Sequence, residues 1–180
     1  MIIEDGAGTG YKSQVTNENM LKTLAITTEI QHHANHVFKK AFSFLTSVTP
    51  TGADDCFFFA QNTDSIDMVV TAIKLNAPTD ETVVIKLGDI GTPVGGTSVT
   101  PACRNIIETA DVVCEEGVDI TGLTGGYIVD KIYVNGGTCT QKFTWRSGLI
   151  IPKNQFISLY STIGGIAINA TISIYFHTAS

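Results

Sequence analysis

Charged side chains are scarce in this chain. They make up 16% of its 180 residues, where soluble domains ordinarily carry roughly a quarter. Solvation therefore falls to Thr, Ser, Asn and Gly, and large ion-pair networks are excluded. The charges that are present lean acidic, to a formal net charge of -6. A face built for a polyanion needs clustered Lys and Arg, so direct binding of nucleic acid or of an acidic membrane is not expected. The four cysteines, Cys56, Cys103, Cys114 and Cys139, form no C-x-x-C pair. That spacing fits neither a zinc ribbon nor a dithiol redox motif and leaves buried free thiols as the expectation. No apolar run reaches the length of a membrane-spanning helix. The opening Met1-Ile2-Ile3-Glu4-Asp5 lacks the basic start and apolar stretch of a signal peptide, so folding in a cytoplasm is expected.

What the sequence has in quantity is alternation. Ile166, Ile168, Ala170, Ile172, Ile174 and Phe176 alternate with Ala167, Asn169, Thr171, Ser173 and Tyr175, the pattern of a long strand with one buried face. Residues 156–161 read as a second strand. The intervening Thr162-Ile163-Gly164-Gly165 reads as a hairpin turn, which makes the two strands antiparallel neighbours. Residues 127–134 alternate again, with Ile128, Ile132 and Val134 on one face and Tyr127, Val129 and Tyr133 on the other. Residues 82–87, 67–75, 56–60 and 42–48 follow, and the more continuously apolar among them belong deeper in the core. Residues 148–151 read as a short strand stopped by Pro152, and residues 143–145 and 111–114 as weaker ones. The total is about eight to ten strands, the signature of an antiparallel β-sandwich or jelly roll. The Gly- and Thr-rich residues 88–100 and 117–126 read as long surface loops that carry contacts. Residues 28–41 hold apolar positions at helical spacing but poor helix formers, which leaves helix and extended arm both open. The organisation expected is an extended N-terminal arm, residues 1–25, followed by one β-sandwich domain, residues 26–180.

The motifs that suggest chemistry fail on spacing. Gly6-Ala7-Gly8-Thr9-Gly10-Tyr11-Lys12-Ser13 lacks the Gly-Lys step of a phosphate loop and the buried strand before it, so it reads as a flexible glycine segment. His32-His33-Ala34-Asn35-His36 lacks the Glu that a zinc protease helix requires after its first His. It reads as a polar surface strip, with a metal on a symmetry axis as the alternative. Gly-x-Ser-x-Gly is absent. The carboxylate pairs Asp54-Asp55, Asp80-Glu81 and Glu115-Glu116 fall at turns or strand ends, where they cap and solvate. Residues 62–67 offer part of a calcium loop without the closing Glu. No catalytic, cofactor or metal site is expected.

At the N-terminus, residues 3–21, with Glu4-Asp5-Gly6-Ala7-Gly8 leading to Gln14-Val15-Thr16-Asn17 and then Leu21, resemble the opening of tailed-bacteriophage virion structural proteins. The remainder is similar in style to phage head-decoration (cement) proteins, through Phe58-Phe59-Ala60-Gln61-Asn62 and the closing stretch from Leu149-Ile150-Ile151-Pro152 to Phe176. The resemblance implies a non-enzymatic virion protein, a homo-oligomer such as a trimer, seated on the major capsid protein or other virion subunits. It implies an arm that ties the sandwich to its neighbours through Ile2, Ile3, Tyr11, Val15 and Leu21. A tail or head-fibre module that recognises the host surface through Tyr127, Tyr133 and Trp145 is the second expectation, and an enzyme on cell-wall sugar the weakest.

Overall fold

The structure is a computed structural model. It describes residues 40–104, 108–137 and 140–176 with their side chains, and the backbone alone of His177 and of three short strands near the N-terminus. Those three are β1 (Ile2–Glu4), β2 (Lys12–Val15) and β3 (Leu21–Lys22). The others are β4 (Ala41–Val48), β5 (Cys56–Asn62), β6 (Asp67–Asn76), β7 (Glu81–Leu87), β8 (Ile90–Val94), β9 (Thr97–Ser98), β10 (Ala102–Cys103), β11 (Val112–Glu116), β12 (Thr121–Thr124), β13 (Tyr127–Val134), β14 (Gln141–Ile151), β15 (Phe156–Ser161) and β16 (Ile168–His177). The fold is all-β, and every pairing is antiparallel.

A five-stranded sheet runs in the order β10-β4-β16-β6-β14, and a six-stranded sheet in the order β13-β7-β15-β5-β11-β9. Their alternating apolar residues meet in one cluster. Phe42 and Phe44 from β4, Ile172, Ile174 and Phe176 from β16, and Met68, Val70, Ile73 and Leu75 from β6 face Phe58 of β5, Val83 and Ile85 of β7 and Leu159 of β15. Phe44 and Phe58, from opposite sheets, stand 5.7 Å apart between ring centroids. Each such fully buried aromatic contributes about 2–3 kcal/mol of burial. β5 departs from strict alternation. Leu159 pairs with Phe58 and Tyr160 with Cys56, which leaves Phe57 as the extra residue of a bulge. Phe57 and its neighbour Phe58 therefore both enter the main cluster, while Phe59 packs on the outer face.

Five expectations change. β15 and β16 are not hairpin partners, because β15 lies between β5 and β7 while β16 lies between β4 and β6. The Gly164-Gly165 pair serves a crossing instead. The Gly165 amide donates to the Pro50 carbonyl at 2.7 Å, and a Cβ on Gly164 would fall 2.3 Å from the Gly52 carbonyl carbon. Second, residues 143–145 and 148–151 form one strand, β14, interrupted by an irregularity. Third, the Gly- and Thr-rich stretches hold strands, since β8 and β12 pair as a two-stranded ribbon and β9 pairs with β11. Fourth, the register of β13 shifts between Ile128 and Asp130, so Ile128 is exposed while Ile132 and Val134 are buried. Fifth, the backbone of the expected arm doubles back on itself, β1 with β2 and β2 with β3, as a small sheet of its own. The helix-or-arm question over residues 28–39 lies outside the described residues, and Ala41 begins β4.

Candidate functional site

The outer face of the five-stranded sheet is assembled in cross-strand rows. Thr144 pairs with Ala72, Ala72 with Ser173, and Ser173 with Ser43. Ala72 and Ser173 are small and buried, so the middle of this face is a hollow. One row along, Lys142 pairs directly with Lys74. A wall rises where β14 leaves the sheet: pairing resumes at Leu149 with Val70, so Trp145, Arg146, Ser147 and Gly148 stand against the single Thr71. Gly148 permits this excursion through its φ of 71°. Any Cβ there would come within 2.3 Å of Val69 Cγ1. Arg104 stands across the groove, its amide bonded to the Ala41 carbonyl at 2.9 Å and its Nε donating to Ser43 Oγ at 3.2 Å. The groove has a volume of about 670 Å³, and among the described residues its lining includes four cations, Lys74, Arg104, Lys142 and Arg146, and no carboxylate.

The second feature is an open side. The sheets end on one side in the two-residue strands β9 and β10, and on the other in the eight-residue β13 and the eleven-residue β14. Short terminal strands offer little unpaired backbone, long ones a template. Trp145 Nε1 donates to Asp130 Oδ2 at 3.0 Å and holds the two long edges together. Beside that bond Tyr127, Ile128, Val129 and Ile150 are exposed. An apolar hollow of about 470 Å³ lies there against Leu87, Tyr127, Ile150 and Phe156. Tyr133 is tied down separately, its hydroxyl donating to Asp80 at 2.7 Å. The Gly136 amide and this hydroxyl hold the Asp80 carboxyl below its usual range, and the same bond raises the Tyr133 phenol.

Two buried carboxylates lie on the six-stranded sheet. Asp89 accepts from Ser158 Oγ, from the Tyr160 hydroxyl at 3.2 Å and from the Gly126 amide at 2.8 Å. Glu81 accepts from Ser161 Oγ at 2.9 Å and from the Thr162 amide at 3.0 Å. Ile120 and Leu123 from the ribbon side cover the Asp89 group, with Cys56, Phe59 and Phe156 beneath. Burial pushes the Cys56 thiol up to about 12 and raises the Tyr160 phenol. Ser158 is wholly buried, so this Ser and Asp pair is closed to substrate and fastens the ribbon.

Of the residues singled out by sequence, Ile2, Ile3, Val15 and Leu21 lie on β1, β2 and β3, whose backbone alone is described. Tyr11, His32, His33, His36 and Cys139 lie outside the described residues. Cys56 and Cys114 are buried free thiols, and Cys103 is half-buried. The partial calcium run is satisfied internally. Asn62 Nδ2 donates to the Ile66 and Ile151 carbonyls at 2.8 and 2.9 Å, and Asp64 pairs with Lys40 at 2.8 Å. Among the described residues no three metal-ligating side chains converge. Trp145 is half-buried against the core cluster, whereas Tyr127 and Tyr133 are exposed. The basic groove was missed because its cations are scattered from position 74 to position 146 and only the strand order gathers them. The legible signal was local: Lys142, Thr144 and Arg146 alternate with Phe143 and Trp145. No family model and no curated protein matches the chain.

Proposed function

We propose that this chain is a structural subunit of a tailed-phage particle, a β-sandwich of jelly-roll type that binds other virion subunits and turns over no substrate. The observation that carries the reading is the open side, where Tyr127, Ile128, Val129 and Ile150 are exposed along β13 and β14, the terminal strands of the two sheets among the described residues. Monomeric β-proteins blunt such edges with charge, Pro or covering segments. β13 has only Asp130 and Lys131 between its apolar ends. An edge of this kind gains main-chain hydrogen bonds and apolar burial together when another strand is added to it. The occupant proposed is a neighbouring copy of the chain, in a trimer seated on the major capsid protein as a decoration or cement subunit. The N-terminal residues 1–25, with Ile2, Ile3, Tyr11, Val15 and Leu21, tie the domain to the shell in this reading. Many weak copies on a symmetric particle bind through multivalency.

The test is oligomeric state by light scattering, for the wild-type chain and for Ile128→Lys/Ile150→Lys. A wild-type trimer and a folded monomeric variant are expected. A wild-type monomer over the micromolar range would sink the edge as the self-association surface. Addition of the protein to particles that lack it, with heat resistance as the readout, separates cement from non-virion roles. A second reading, a fibre module that recognises the host surface, is favoured by the basic groove.

A further inference from the structure

We infer that the groove on the outer face of the five-stranded sheet is a binding site for a short acidic saccharide, held by Lys74, Arg104, Lys142 and Arg146. The inference is independent of how the β13 edge is used. Four of the eleven Lys and Arg residues of a chain with net charge -6 converge on this hollow. Among the described residues none of the four forms an ion pair. Lys142 and Lys74 are direct cross-strand partners, an arrangement that like-charge repulsion disfavours. Folding stability alone gives no reason to place them there, and an anion between them removes the repulsion.

The shape and lining narrow the anion. The groove is concave, with a volume of about 670 Å³, within the range of small-ligand sites. A nucleic acid strand needs instead a track of cations along its backbone and is repelled by the acidic remainder of the molecule. An extended acidic peptide docks by main-chain bonding to a sheet edge. The groove floor is β6 and β16, interior strands whose backbone groups are used on both sides. Recognition here must come from side chains. Thr144 and Ser147 offer exposed hydroxyls among the cations. Hydroxyl groups and several converging cations in a concave groove match a short saccharide bearing carboxylates.

The experiment is titration calorimetry of the full chain with trigalacturonate, beside neutral maltotriose, inorganic phosphate and an oligothymidine octamer. Saturable trigalacturonate binding that weakens with salt is expected, with no binding of maltotriose. Lys74→Gln/Lys142→Gln should weaken trigalacturonate binding by at least roughly tenfold through loss of two charge-assisted contacts. Lys131→Gln, on β13 away from the groove, should leave it unchanged. Absence of trigalacturonate binding up to about 10 mM, an affinity too weak for a built site, overturns the inference. Equal binding by the groove variant overturns it as well. Tighter binding of the octamer would assign the groove to nucleic acid instead, and equal affinity for inorganic phosphate would show an anion site without saccharide recognition.

Discussion

Trp145 of β14 donates its indole N–H to Asp130 of β13 at 3.0 Å, joining the terminal strands of the two sheets. The Asp130 carboxylate also accepts from the Lys131 amide at 2.8 Å through its other oxygen. Trp145 also belongs to the stretch of β14 that walls the basic groove, while its side chain packs against the core.

Removing the indole donor should loosen this seam. Trp145→Phe keeps most of the apolar contact and deletes the bond, at an expected cost of about 1 kcal/mol, and a double-mutant cycle with Asp130→Ala should show coupling of about 0.5–1.5 kcal/mol. Urea unfolding measures both, and zero coupling would show that the bond does not form in solution. Trp145 is the chain's single Trp, so its emission also reports on the seam without a label.

The Asp89 carboxylate is 1% exposed and accepts bonds from β15 and from the Gly126 amide beyond β12. Asp89→Ala strands the Ser158 and Tyr160 hydroxyls and should cost about 3 kcal/mol, with Asp89→Asn milder. Gly126→Ala should act at the same point, because a Cβ there would lie 2.3 Å from Asp89 Oδ1. Limited proteolysis should then open residues 117–126 before the sheets. If Asp89→Ala changes urea stability by less than about 0.5 kcal/mol, the magnitude of an ordinary surface substitution, the network is not what holds the ribbon.

The strands were largely legible, and their partners were not. Alternation located β13 and β15 to the residue, because each is a short run between turn residues. Pairing failed because the connections cross between layers: β4, β5, β6 and β7 alternate between the two sheets, as do β13, β14, β15 and β16. A Gly-Gly turn looks the same in sequence whether it closes a hairpin or crosses a gap, and only the fit of Gly164 against Gly52 distinguishes them. The bulges at Phe57, near Ile128 and over Trp145–Gly148 were invisible for a related reason. Each adds residues that shift the period by an amount no local pattern records. The groove inherits that opacity, since its wall is a bulge and its cations come from β6, from β14 and from the residue after β10.

Alkali should weaken the fold in a defined window. Burial holds the Cys56 thiol up at about 12 against an ordinary 9.0, and raises the Cys114 thiol and the Tyr160 phenol as well. A group with a raised folded value keeps its proton in the native state while the unfolded chain releases it. The stabilisation is therefore full below about pH 9 and declines as pH rises from there toward 12. Urea midpoints should fall across that range, and Cys56→Ser/Cys114→Ser should show a shallower fall. Iodoacetamide at pH 8 should leave both thiols unmodified until denaturant is added. Rapid labelling of the native protein would contradict their burial.

Lys142 opposite Lys74 gives the sharpest separation of binding from stability. Lys142→Glu converts a repulsive cross-strand pair into an attractive one on an exposed face, so the variant should be more stable by up to about 1 kcal/mol. Added salt, which screens the wild-type repulsion, should stabilise the wild type more than the variant. The same substitution places a carboxylate at the rim of the basic groove and should abolish trigalacturonate binding. A surface that becomes more stable when its charge is reversed, yet loses its ligand, carries that charge for the ligand. If Lys142→Glu is instead neutral or destabilising in low salt, the two ammonium groups lie far enough apart in solution that no repulsion is stored, and that support for an anion site is lost.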